Sequence, residues 1–202
     1  MEAVITADVI NSRAVSPDIW LSVLKDTLQN VGAEYNTWEV YRGDNIQLIT
    51  TPINALKLGI LLKAVTKQIP NLDIRMAIGL GEITYRSEKV SSSNGPAFIH
   101  SGEAFDALNK NTLAIKSPWK DFDEVLNIML DLATLTMDNW KPAMAEIFKK
   151  QLENPNLKQV EIAESLNKKQ SNVSYSLKKA GYDEIMNCLE YYKREIEKLC
   201  YS

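Results

Sequence analysis

The chain has 202 residues, 45% of them hydrophobic and 24% charged, a composition far from disordered, collagen-like and disulfide-scaffold sequences. With 23 basic and 26 acidic residues the net charge is −3, so no overall positive field recruits nucleic acid or an anionic membrane, and any such contact must come from a local patch. No window approaches 18 consecutive apolar residues, and the start MEAVITADVINSR has no signal-peptide apolar run, which argues against a membrane span and makes a cytoplasmic protein the expectation.

Residues Ala3 to Ile10 are rich in β-formers and stop at Asn11-Ser12, which predicts a first strand and its exit turn. Pro17 opens a helix whose apolar positions Ile19, Trp20, Val23, Leu24, Leu28 and Val31 recur at helical spacing, with Gly32 as its C-cap. Glu34 to Tyr41 and Ile46 to Thr50 flank Gly43-Asp44-Asn45, a hairpin pattern. Thr51-Pro52 starts a second helix with Ala55, Leu58, Leu62, Val65 and Ile69 along one stripe. Leu72 to Ile83 alternates as a strand, broken near Gly79 and Gly81, where the backbone is expected to approach another group closely. A helix over Pro96 to Leu108 and a short strand near Thr112 to Ile115 follow.

The order β-α-β-β-α-β within residues 1–117 predicts an α+β fold, a ferredoxin-like or palm-type sheet with helices on one face. Residues 118–156 read as an acidic helical connector with Phe122, Val125, Leu126, Met129, Leu132 and Leu135 as its stripe. Asn154-Pro155-Asn156 marks a turn into a third region, 157–202. Cys188 and Cys200, twelve residues apart on one predicted helix, are separated by roughly 18 Å at helical rise, too far for a disulfide. His100 is the only histidine and reads as structural. Trp20 and Trp38 fit core stripes, while Trp119 and Trp140 suggest packing between regions.

In the last region Val160, Ile162, Ala163 and Leu166 lie on or near one helical face, and after a short turn Val173 and Leu177 anchor a second helix. The other positions there, Lys168, Lys169, Gln170, Ser171, Asn172, Ser174, Tyr175, Lys178 and Lys179, can hydrogen-bond to phosphates or base edges of double-stranded DNA. From Lys158 to Gly181 five lysines face two glutamates, a local charge of +3. The segment resembles the helix-turn-helix of bacterial regulators, whose pattern is matched by Ile162, Ala163, Leu166, Val173, Ser174, Leu177 and Ala180, with Asn167 replacing the usual turn glycine. The other reading is a helical bundle that docks on protein. Beyond it, Ile185, Leu189, Tyr192, Ile196 and Leu199 approximate a heptad stripe. This helix either forms a homodimer or folds back onto the helix at 122–135.

Asp8 sits near the end of the first strand and Asp44 at the head of the third, so the predicted strand order brings the carboxylates together. Two close carboxylates repel unless a cation or proton separates them, which suits a Mg²⁺ or Mn²⁺ ion with a nucleotide. Arg13, Arg42, Arg75 and Arg86 could neutralise its phosphates. Alternatively, both aspartates only cap turns.

Ala7-Asp8-Val9-Ile10, Gly43-Asp44, Arg75 to Ile83 and Gly95 to Phe98 together resemble class III nucleotide cyclases and GGDEF-type diguanylate cyclases over roughly residues 3–108. That resemblance implies metal ligation by Asp8 and Asp44, and cofactor contacts at Gly43 and the nearby arginines. The asparagine and transition-state arginine of those enzymes are missing from Phe98 to Gly102, which points to binding rather than turnover. The whole chain is similar to the SatD family of small bacterial proteins, which open with a phrase like Ala3-Val-Ile-Thr-Ala-Asp-Val-Ile-Asn-Ser-Arg13 and end in a helix-turn-helix. The expected protein is therefore a DNA-binding regulator with a degenerate cyclase-like sensor or scaffold. A metal-dependent nucleotide cyclase or nucleotidyltransferase, and a protein-interaction module, are the alternatives.

Overall fold

The computed structural model describes residues 1–30, 37–41 and 43–201, and the opening β-formers make strand β1 (Glu2–Ile10). A short 3-10 turn at Ser12–Ala14 leads into helix α1 (Pro17–Asn30). Strands β2 (Trp38–Tyr41) and β3 (Asn45–Thr50) pair as the expected hairpin. Then come α2 (Pro52–Thr66), β4 (Asp73–Gly81), α3 (Pro96–Asp106) and β5 (Leu113–Lys116). The expected α1 position Val31, the Gly32 cap, the first residues of the expected Glu34 to Tyr41 strand and Arg42 fall outside the described residues. This mixed region is followed by an all-helical one: α4 (Lys120–Met137), α5 (Pro142–Glu153), α6 (Gln159–Ser165), α7 (Gln170–Lys179) and α8 (Tyr182–Tyr201).

The sheet order is β2-β3-β1-β4-β5. β1 runs antiparallel to both neighbours, and β5 runs parallel to β4. Because β1 is central and covered on both faces, six of its nine residues are apolar and they do not strictly alternate with polar ones. Ala3, Ile5, Ala7 and Val9 enter the main core, whereas Val4 packs with Ile49, Val90 and Ala97 on the opposite face. The two helices of the β-α-β-β-α-β order, α1 and α2, share one face as expected, but α3 does not join them. α3 covers the second face and reaches it because β4 carries glycine there. A Cβ on Gly79 would lie 2.2 Å from both the Ala97 carbonyl and the Ser101 amide of α3, and one on Gly81 would lie 2.7 Å from the Ala97 amide.

α2 is apolar around its whole circumference, not along one stripe, because the sheet covers one side while α5 and α8 cover the other. The main core continues through Leu126, Leu130, Phe148 and Leu189 to Ile196. The heptad stripe of α8 is consumed inside the chain: Ile185, Leu189, Tyr192 and Ile196 are buried against α2 and α4, and the Tyr192 hydroxyl donates to the Pro52 carbonyl at 2.5 Å. Of the two alternatives for this helix, the fold adopts the return onto α4. Trp140 stacks on Phe148, with centroids 4.3 Å apart, and donates its indole N–H to the Ala180 carbonyl at 3.0 Å.

The exposure of several apolar positions departs from the sequence reading, and other details extend it. The 118–156 stretch is two helices, restarted by Pro142. On α4 the buried positions are Phe122, Leu126, Leu130, Thr134 and Met137, so Val125, Leu132 and Leu135 face outward. Ile19 on α1 and Val160 on α6 are also exposed. Both cysteines are free, and burial pushes the Cys188 thiol up to about 11. No helix among the described residues is long and apolar enough to cross a membrane.

The close approach of α3 predicts that Gly79→Ala destabilises the protein by about 3 kcal/mol or more, since backbone must move. Gly102→Ala, where nothing lies within 4 Å of the added methyl, is expected to be neutral or to stabilise by up to about 1 kcal/mol. Urea midpoints of the two variants check this.

Candidate functional site

Antiparallel pairing places Asp8 opposite both Asn45 on β3 and Arg75 on β4. Arg75 donates from Nε and Nη2 to the same Asp8 oxygen, Oδ2, at 3.0 Å each, and its guanidinium lies 5.0 Å from the Phe105 ring centroid. Beyond β1 the chain turns through Asn11 in the left-handed region (φ 61°), which asparagine tolerates. That turn brings Ser12 to donate its hydroxyl to Asp44 Oδ2 at 2.5 Å. Asp44 is fixed from the other side by the Val9 amide, which donates to its carbonyl at 3.3 Å. Gly43 at φ 95° supplies the hairpin turn that presents Asp44.

Asp8, Ser12, Arg13, Asp44, Arg75 and Lys110 line one pocket of about 760 Å³. A second cavity of about 400 Å³ adjoins it across Ser12, Arg13 and Asp44, and reaches Gly43 and Trp20. Trp20 is buried, and its indole N–H has no hydrogen-bond partner among the described residues. Of the residues singled out in the sequence, Asp8, Asp44, Arg13, Gly43 and Arg75 thus converge, and Arg42 lies outside the described residues. Arg86 is elsewhere: it pairs with Glu2 at the opposite end of β1. His100 donates from Nδ1 to the Leu80 carbonyl at 2.6 Å, a structural tie. Sequence reasoning missed Ser12, Lys110 and Thr112. The latter two arrive through the parallel register of β5 on β4, which no local pattern announces.

Burial is the largest influence on Asp8 and raises its pKa above the usual 3.8; Arg75 opposes that shift and the neighbouring Asp44 carboxyl adds to it. Among the described residues no third His, Cys, Asp or Glu joins the pair. Hard carboxylate oxygens beside three cationic side chains suit a cation bound together with an anionic ligand.

The second polar surface is on α6 and α7. Asn167 turns the chain at φ 51°, and Ile162, Ala163, Val173 and Leu177 are buried with Ile147 of α5. Above them Lys169, Gln170, Ser171, Asn172, Ser174, Tyr175, Lys178 and Lys179 are all exposed. Lys168 differs: it is partly buried and pairs with Glu146 at 3.0 Å. Gln170 donates to the side chain of Gln159 at 3.3 Å, and Lys179 lies 6.0 Å from the Tyr175 ring centroid.

A raised native pKa means that ionising Asp8 opposes folding. Its contribution is fully present below 3.8 and is lost as pH rises through the raised native value. Asp44→Asn removes one raising influence and is expected to lower the Asp8 pKa, whereas Arg75→Met is expected to raise it further. Titration of the Asp8 carboxyl carbon by NMR reads both directions.

Residues 2–188 of the chain match the SatD family, and the protein belongs to that family. No curated protein matches the chain.

Proposed function

We propose that this SatD-family chain is a DNA-binding regulator, in which α6, the turn at Asn167 and α7 act as a helix-turn-helix. The sheet region, with a ferredoxin-like strand order like that of nucleotide cyclases, serves as a nucleotide sensor or assembly platform. The observation that carries this reading is the row of exposed polar side chains on α7, Gln170 to Lys179, standing on the buried Val173 and Leu177. In a docked recognition helix the N-terminal half meets base edges, a role for Gln170, Ser171 and Asn172. Lys169, Lys178 and Lys179 neutralise phosphates, and Lys168 joins them only on leaving Glu146. Such binding weakens with salt by about one logarithmic unit of slope per phosphate contact.

Titration of the full chain against duplex fragments at several salt concentrations tests this. Changing Lys169, Lys178 and Lys179 together to Glu is expected to lower affinity more than about tenfold and flatten the salt slope by roughly three. Binding that ignores salt, or an unaltered triple variant, would refute the reading.

The convergence of Asp8 and Asp44 favours a second role for the sheet region: binding a nucleotide together with Mg²⁺ or Mn²⁺. The donors fit, because Mg²⁺ commonly takes one or two carboxylates and fills its remaining positions with water and phosphate oxygens. Arg13, Arg75 and Lys110 would meet the phosphates. Without the clamp residues missing from Phe98 to Gly102, this site binds rather than turns over. Calorimetric titration with triphosphates and Mg²⁺ is expected to show binding that Asp8→Asn or Asp44→Asn weakens by about tenfold or more, the loss of one charge-assisted contact. Insensitivity to both changes would exclude the site.

A further inference from the structure

Helix α4 carries a second apolar face that the fold leaves uncovered. Val125, Ile128, Leu132 and Leu135 are 44%, 57%, 63% and 70% exposed, although Leu126 and Leu130 on the same helix are fully buried. The spacing of three, four, three is the a/d repeat of a two-stranded coiled-coil seam. Four large aliphatic side chains in one row present an apolar patch of roughly 400 Å², within the range of about 300–600 Å² of the largest patch on a typical monomer, which is often functional. We propose that this face is covered by α4 of a second copy of the chain, in a parallel two-fold seam.

Charge selects both the partner and the orientation. The flank of the stripe toward β5 is acidic, with exposed Glu124 and Asp131. The other flank, past Met129 and Ala133, opens into a groove of about 510 Å³ that Lys178 and Lys179 line together with Glu184. A two-fold axis parallel to α4 sets the acidic flank of each copy against the lysine flank of the other, at two places related by symmetry. An axis across the helix would instead put Asp131 against its own copy in mid-seam. Asp121, one turn before Val125, ends the stripe with a charge and confines the seam to three turns. The four seam residues supply about half of the roughly 800 Å² per partner that a stable interface buries, and the flanking groove and acidic edge supply further contact. The α8 stripe cannot serve, because it is buried within the chain. This inference goes beyond the DNA reading and competes with it for Lys178 and Lys179, which in the dimer lie against the partner's acidic flank and leave Lys169 free for phosphates.

Sedimentation equilibrium of the full chain is expected to show a mass that rises with concentration from the 22.8 kDa of one chain toward twice that value, reaching about 1.8 times the chain mass near 100 µM for a Kd of about 10 µM, a binding free energy of about 7 kcal/mol. Leu132→Glu, and separately Ile128→Lys, should each restore the single-chain mass with unchanged circular dichroism and with the melting temperature of the dilute, undimerised chain, since both positions are exposed in a single chain. In a Cys200→Ser background, Val125→Cys and Leu135→Cys should each form a disulfide-linked dimer with themselves, as only a parallel in-register seam allows. A monomer at that concentration, a dimer that survives both substitutions, or end positions that fail to self-link would each overturn the proposal. The mass is measured without DNA, so failure of the seam and failure of the DNA reading are seen separately.

Discussion

A single buried cation holds the mixed region and the helical region in register. Lys63 of α2 is almost wholly inaccessible, and its ammonium lies 2.6 Å from Asp73 at the start of β4 and 2.6 Å from Asp138 after α4. It also donates to the Ile74 carbonyl at 3.3 Å and to the Thr112 hydroxyl at 3.1 Å, while that hydroxyl donates to Asp138 at 2.6 Å. Lys67 adds a second cation, to Asp73 at 3.1 Å and to the Asp138 carbonyl at 2.6 Å. Two segments distant in sequence are thereby tied to one helix. Removing one member of such a buried network costs about 3–5 kcal/mol, because the remaining charges are left uncompensated.

Both candidate surfaces hang from this framework. Thr112, which the buried lysine holds, also lines the Asp8 pocket, so the cluster borders the floor of that site. On the other side, Asp138 closes α4, and Trp140 two residues later holds the junction of α7 and α8 through the Ala180 carbonyl. Tyr192 returns α8 to the start of α2 at Pro52. The exposed side chains of α7 are therefore presented by a rigid base, and α4 keeps its outward stripe because its inward face is already filled.

What was legible in the sequence follows how local each feature is. Alternation in β4, the Gly-Asp hairpin and the prolines that open α1, α2 and α3 are local signals, and they placed Asp8 and Asp44 at neighbouring strand ends. Val173 and Leu177 likewise marked the buried side of α7. Features set by distant partners were not readable. The lysine within the apolar run of α2 looks solvent-facing until Asp73 and Asp138 are brought to it. Val125, Leu132 and Leu135 form as good a helical stripe as Phe122, Leu126 and Leu130, and only the position of β5 and α8 decides which one is buried. Lys110 joins the pocket only because β5 is parallel to β4.

Native-state hydrogen exchange on Lys63→Met is the most direct test of this single framework. If the buried cation joins the two regions, amides of β1 and β4 and amides of α8 lose protection together and by the same factor, as one cooperative unit. Loss confined to the sheet, or to α8 alone, would show that the regions open independently and that Lys63 does not unite them.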